Sequence, residues 1–187
     1  MTYKILISLA VLFQLTLSLC LAQSPPAPAK FIIVTKERFG FKKDSDFYIL
    51  GTKLEDFRAR FGAAEKSHKD ESDDGYLART LTDYHVSDGL AVTARTNGII
   101  IGFMFYVGPS HTLKLASAST DRGIAASSSE TEVIRQYGDP YKIEEYKKDE
   151  TKALYYKFGE SILSFQFDHG TLKTIGLNAE FIPFLPK

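Results

Sequence analysis

The stretch GLAVTARTNGIIIGFMFYV, residues 89–107, leaves the chain little choice of local structure. Asn97-Gly98 separates two apolar runs, and that dipeptide is the strongest short hairpin signal because both central residues of a tight two-residue turn want positive φ. Side chains alternate across a strand, so one register decides the face of every residue. A two-residue turn puts Leu90, Val92 and Ala94 on one face with Ile101, Phe103 and Phe105. The other face then carries Ile100, Met104 and Tyr106, apolar where a solvated surface reads polar. Such a face either packs within the chain or meets a partner.

A second stretch, 161–177, repeats the shape: SILSFQF, then Asp168-His169-Gly170, then TLKTIGL. A three-residue loop there groups Leu163, Phe165 and Phe167 with Ile175 and Leu177, and the opposite face reads Ser164, Gln166 and Thr174. A short helix precedes each hairpin. In GTKLEDFRARFG, Thr52 and Glu55 form a capping-box pattern, and Leu54, Phe57 and Phe61 make an apolar stripe. In SSETEVIRQYGDP the cap falls to Ser127 with Glu130 or to Ser129 with Glu132, and Val133, Ile134 and Tyr137 make the stripe. Gly62 and Gly138 stop the two helices. Between each helix and its strands run the polar connections KSHKDESDDG and YKIEEYKKDE.

Internal similarity of this kind predicts an α+β fold: a tandem repeat of two helix-plus-antiparallel-sheet units packed side by side. Unit 1 spans 31–110 with an N-terminal strand from KFIIVT, and unit 2 spans 111–187. Units of this size bury a marginal core alone, so docking is expected. The pieces GTKLEDFRARFG, SSETEVIRQYGDP, DGLAV and SILSFQF together resemble the beta-lactamase inhibitor protein (BLIP-like) fold and the SmpA/OmlA (BamE-type) outer-membrane lipoproteins. That resemblance covers about residues 47–180. It implies an exported binding or assembly module working through a sheet surface and loops, and it transfers no functional residue.

The first 22 residues read as a secretory signal. Lys4 supplies a basic start, an apolar run follows, and Cys20-Leu21-Ala22 is a small-x-small cleavage pattern. Leu17-Ser18-Leu19-Cys20 also resembles a lipobox, with Leu19 where Gly or Ala is usual, which makes Cys20 a candidate lipidation site. The alternative is that Cys20 is one more apolar residue of the signal. It is the chain's single cysteine, so no intramolecular disulfide is available. Residues 23–30, QSPPAPAK, form a Pro/Ala-rich linker of extended character, roughly 25 Å long at about 3.1 Å per residue.

Lys plus Arg and Asp plus Glu number 23 each, spread along the chain, so the clustered basic face of a nucleic-acid binder is missing. The four histidines, His68, His85, His111 and His169, have no metal-ligand spacing, and no cofactor is expected. HExxH, Gly-x-Ser-x-Gly and phosphate-cradling glycine patterns do not occur. Asp168-His169 as a fragment of a triad is a combination that many sequences offer by chance. DESDDG at 70–75 meets part of a calcium-loop pattern but has Leu81 where a bidentate Glu is required. It reads better as a solvated acidic loop, in which Asp73 and Asp74 are candidate contacts for a basic partner.

Three functions remain. The leading one is an exported, non-enzymatic protein-binding or envelope-associated module, periplasmic, cell-surface or secreted, touching the membrane only through an N-terminal lipid anchor if it has one. The second is a structural outer-membrane assembly lipoprotein. The third is a small-ligand carrier or hydrolase that uses a groove between the two units.

Overall fold

The computed structural model describes residues 30–35, 39–71, 79–108 and 113–179. Three strands open it: β1 (Phe31–Val34), β2 (Gly40–Lys43) and β3 (Asp46–Ile49). Helix α1 (Leu54–Phe61) leads into β4 (Lys66–Asp70), β5 (Thr80–His85), β6 (Leu90–Arg95) and β7 (Ile100–Tyr106), with a single 3₁₀ turn at Val86–Asp88. Then come β8 (Ala118–Thr120), α2 (Glu130–Tyr137), β9 (Lys142–Tyr146), β10 (Thr151–Phe158), β11 (Ser161–Asp168) and β12 (Thr171–Asn178).

The fold is predominantly β, which corrects the expected tandem repeat of helix-plus-sheet units. One antiparallel sheet runs β4-β5-β6-β7-β12-β11-β10-β9, so the two meanders are continuous through the β7–β12 pair. Phe103 lies opposite Leu177 and Phe105 opposite Ile175 at that junction, and a hydrogen-bonded ladder stands where a groove between units was expected. The physical reason is edge pairing: two apolar strands with open backbone groups satisfy them best on each other. A second, four-stranded sheet, β3-β2-β1-β8, holds β1 antiparallel to β2 and parallel to β8. The two polar connections are not loops throughout, because Lys66–Asp70 and Lys142–Tyr146 form the outer strands of the large sheet.

Both helices and the small sheet pack on the same face of the large sheet. Phe41 sets its ring edge-on to Phe103 and Phe105, at 5.0 and 5.1 Å, and Phe31 lies 5.5 Å from Phe105. Aromatic pairs of this geometry add about 0.5–1.5 kcal/mol each beyond the area they bury. The helical stripes behave as read, with Leu54, Phe57 and Val133 buried and Phe61, Ile134 and Tyr137 packed at the core's margin.

The helix caps differ. Ser129 Oγ accepts the Glu132 N–H at 3.2 Å, one of the two caps expected for α2. The Thr52–Glu55 box of α1 does not form: Thr52 donates its hydroxyl to the Ile49 carbonyl, and Lys53 occupies the cap position. Backbone bonds to the start of β7 take over, with Leu54 N–H on Gly98 O at 2.8 Å and Ile100 N–H on Thr52 O at 2.9 Å.

Those bonds change the hairpin. Gly98 alone has positive φ (79°), Gly98 N–H bonds Arg95 O, and Asn97 Oδ1 accepts from Ile99 N–H. The connection is thus a three-residue loop, and the ladder slips between Thr93 and Ala94 so that Ala94 faces Ile100. Ile100 enters the core and is fully buried, against its expected place on the second face. The other hairpin deviates the opposite way. His169 and Gly170 both have positive φ (47° and 72°) and make a two-residue turn where a three-residue loop was expected, with Asp168 opposite Thr171. A shift between Gln166 and Phe167 restores Phe167 to the core.

Candidate interaction face

The large sheet's second face is built from residues that alternate with the core. Met104 on β7 stands between Ala91 on β6 and Gly176 on β12, and Tyr106 stands opposite Thr174. Continuing outward, Tyr84 pairs with Ala91 and Ser164 with Gly176. Small residues flank Met104 on both sides. Met104 and Tyr106 are each half-buried. The ring contacts of α1, α2 and the small sheet lie on the first face, and Ala153, Tyr155 and Ile162 form a separate cluster.

Hydrogen bonds link several polar residues of this face. Thr174 donates to Gln166 Oε1 at 3.1 Å, Thr82 and Thr93 hydroxyls lie 3.3 Å apart, and Tyr155 donates to Glu144 Oε2 at 2.7 Å. Burial pushes the Tyr106 phenol above its ordinary pKa, with neighbouring Tyr84 adding to the shift, so the face carries a neutral hydroxyl at physiological pH. The arrangement is suited to apolar contact with a few oriented polar groups, as in protein interfaces.

Of the candidate residues, the structure therefore brings Met104 and Tyr106 together and removes Ile100 to the core. Cys20, Asp73 and Asp74 lie outside the described residues, as do the signal and residues 23–29 of the linker. His169 is an exposed hairpin-tip residue whose Nδ1 lies 2.8 Å from Glu150 Oε2. His68 is exposed on β4. Among the described residues no group of three or more His, Cys, Asp or Glu is placed to hold a metal ion, and no helix is long and apolar enough to cross a membrane.

One polar constellation escaped the sequence reading. Asp83, fully buried on β5, accepts Arg58 Nε at 2.7 Å, Arg58 Nη2 at 2.8 Å and Ser67 Oγ at 2.7 Å. Burial alone would raise its pKa, but the hydrogen bonds from Arg58 and Ser67 hold the carboxyl below its usual range. Two residues on, His85 is buried against Phe57 and Phe61, at 5.6 and 4.8 Å between ring centres, and its Nε2 has no hydrogen-bond partner among the described residues. Burial holds His85 below the ordinary histidine range, and Lys43 adds to the depression while Asp83, Glu65 and Asp88 oppose it. With its oxygens engaged by Arg58 and Ser67, Asp83 ties α1 to β5 and β4. The available signal was phase: in TLTDYH, Asp83 and His85 share the inward alternation of Leu81.

No family model matches this chain, and no curated protein sequence matches it. It is similar to the crystal structure of a DUF4309 family protein (YjgB) from Bacillus subtilis subsp. subtilis str. 168. The identity is 17%, the match covers 69% of this chain and 79% of that one, and the TM-score is 0.45. The resemblance to the BLIP-like and BamE-type proteins is corrected, because the two meanders join in one continuous sheet of a predominantly β fold instead of forming separate helix-plus-sheet units. The segments that suggested it are helix stops and strand starts, which recur across many unrelated folds.

Proposed function

We propose that this protein is an exported, non-enzymatic binding module that meets another protein through the Met104/Tyr106 face of its large sheet. The observation that carries the reading is the seating of Met104 and Tyr106 among Ala91, Gly176 and Thr174, on the face opposite the helices and the small sheet. Methionine adapts to varied apolar surfaces, and tyrosine contributes contact area with a polar tip, a pairing common where proteins meet. Export rests on the basic-then-apolar start and the cleavage pattern at 20–22. Lipidation at Cys20 is a second element of the proposal, and labelling with a lipid precursor decides it.

The test compares recovery of partners from envelope extracts by the wild-type chain and by Met104→Asp/Tyr106→Asp. The double variant is expected to lose a partner that wild type retains, while its far-ultraviolet circular dichroism stays unchanged and its unfolding transition stays cooperative. Equal recovery by two equally folded proteins would sink the proposed face.

A further inference from the structure

We propose that residues 180–187, the segment that follows β12, fold back over the second face of the large sheet and cover the corner formed by Ala153, Tyr155 and Ile162. The proposal needs no partner protein and stands apart from the Met104/Tyr106 reading.

The second face is closed toward β10 and open toward β5. Ala153, Tyr155 and Ile162 alternate with the core residues Leu154, Tyr156 and Leu163, so they point away from both helices and the small sheet. They are nevertheless only 2%, 2% and 3% exposed. Tyr84, Met104 and Tyr106, on the same face, are half-buried. The sheet itself does not account for this difference. Tyr155 lies between Ser164 of β11 and Lys142 of β9, with Lys157 two residues along its own strand. An aromatic side chain has roughly 150–250 Å² to bury, more than a short serine and two solvent-exposed lysines cover. Lys142, Glu144 and Tyr146 stand opposite Tyr155, Ala153 and Thr151 on this face, and these three and Tyr155 all have interactions besides those named above.

The segment leaving β12 is placed to be the cover. Ala179 N–H bonds Ile101 O at 2.8 Å, and Asn178 stands opposite Ile162, so residue 180 starts one strand from Ile162 and two from Tyr155. With strands about 4.8 Å apart and a rise of about 3.3 Å per residue, the path across to β10 and down to Ala153 is roughly 16 Å. Eight extended residues span roughly 25 Å. Phe181, Ile182, Phe184 and Leu185 supply the apolar surface, and Pro183 and Pro186 favour an extended backbone while withholding the N–H groups of a further ladder strand. At three residues per turn, Phe181 and Phe184 share one edge of such a segment, and Ile182 and Leu185 the next. The other segments outside the described residues join elsewhere: 1–29 and 36–38 adjoin the small sheet, 72–78 link β4 to β5, and 109–112 follow the far end of β7.

The experiment follows the isotope-labelled full chain by nuclear magnetic resonance. Nuclear Overhauser contacts are expected from the Tyr155 ring and the Ile162 methyl groups to Phe181, Ile182, Phe184 or Leu185. Mixing labelled with unlabelled protein should show that they arise within one molecule. A soluble nitroxide then reads exposure. In wild type it should spare Ile162 as it spares the core residue Ile175. In Phe181→Asp/Phe184→Asp, relaxation of Ile162 should rise several-fold while Ile175 stays protected. Absence of the contacts, contacts found only between molecules, or an Ile162 equally protected in the double variant overturns the proposal. If the double variant also exposes Ile175, it has unfolded and the wild-type contacts decide alone: present within one molecule they uphold the cover, otherwise they reject it.

Discussion

Under α1 the large sheet presents an ion pair, and under α2 it presents tyrosine. Arg58 reaches from α1 to the buried Asp83, with His85 against Phe57 and Phe61 beside it. From α2, Tyr137 lies 5.3 Å from both Tyr156 and Phe165, and the Arg122 guanidinium covers its ring at 4.5 Å while donating to the Gln136 carbonyl. The two helices have equal length, end in glycine and share one face of one sheet, and both pack rings on it; yet the ion pair of α1 ends on a fully buried carboxylate, while that of α2, Glu130 with Lys152, is half-exposed. Similar sequence outlines therefore do not make equivalent parts. The difference predicts where the molecule is vulnerable.

The largest effect is expected where α1 joins β7. Ile100→Asp places a charge in a fully buried site and should cost more than about 4 kcal/mol, enough to unfold the protein. Met104→Asp, across the sheet, should cost no more than about 1 kcal/mol. Denaturant titration separates them, and similar costs would show that the second face is packed as tightly as the first. Next in size is Arg58→Ala. It leaves the Asp83 carboxylate buried without its guanidinium, and a loss of about 3 kcal/mol is expected from the same titration.

Beneath α2 the corresponding change should have the opposite sign. Tyr156 has a buried hydroxyl with no hydrogen-bond partner among the described residues, and burial pushes its pKa up to about 12. Tyr156→Phe removes an unsatisfied group without leaving a cavity, so stability should hold or rise by up to about 1 kcal/mol. A loss above that would mean that the hydroxyl has a partner after all.

The smallest effect is in the pH response. His85 titrates below its unfolded value of 6.5, so the unfolded chain binds the proton more readily. Stability from its neutral burial is present above pH 6.5 and declines as pH falls from there to the lower folded-state value. Asp83 adds a separate decline below its unfolded value of 3.8, since its folded pKa is depressed. His85→Phe should flatten the first decline and leave the second. Thermal midpoints measured from pH 8 down to pH 3 test this, and an unchanged first decline in the variant assigns it elsewhere.

The alternating strands were legible because burial imposed a strict phase on them: Leu163, Phe165, Phe167, Ile175 and Leu177 all reach the core as read. Edge strands were not. Lys66–Asp70 and Lys142–Tyr146 are short, charged and largely exposed, the composition that guards a sheet edge against unwanted pairing, and they read as loops. The hairpins failed for a tertiary reason. Asn97-Gly98 favours a two-residue turn locally, but the 51–54 segment bonds Gly98 and Ile100, lengthening the loop and turning Ile100 inward. That single slip changed the candidate face from three residues to two. β8, only three residues long, has no local signal; its partner is β1, far away in sequence.

That parallel pairing has a bearing on the order of assembly. β1 is an interior strand of the small sheet, flanked by β2 and β8, and Phe31 is fully buried in the common core. Its second neighbour is made only when synthesis reaches Ala118–Thr120, so loop closure over that span must precede completion. During synthesis the earliest described strand waits, half-paired, for one of the later ones. The small sheet therefore closes only once Ala118–Thr120 is present to pair with Phe31–Ile33, which ties one end of the first half of the molecule to the start of the second.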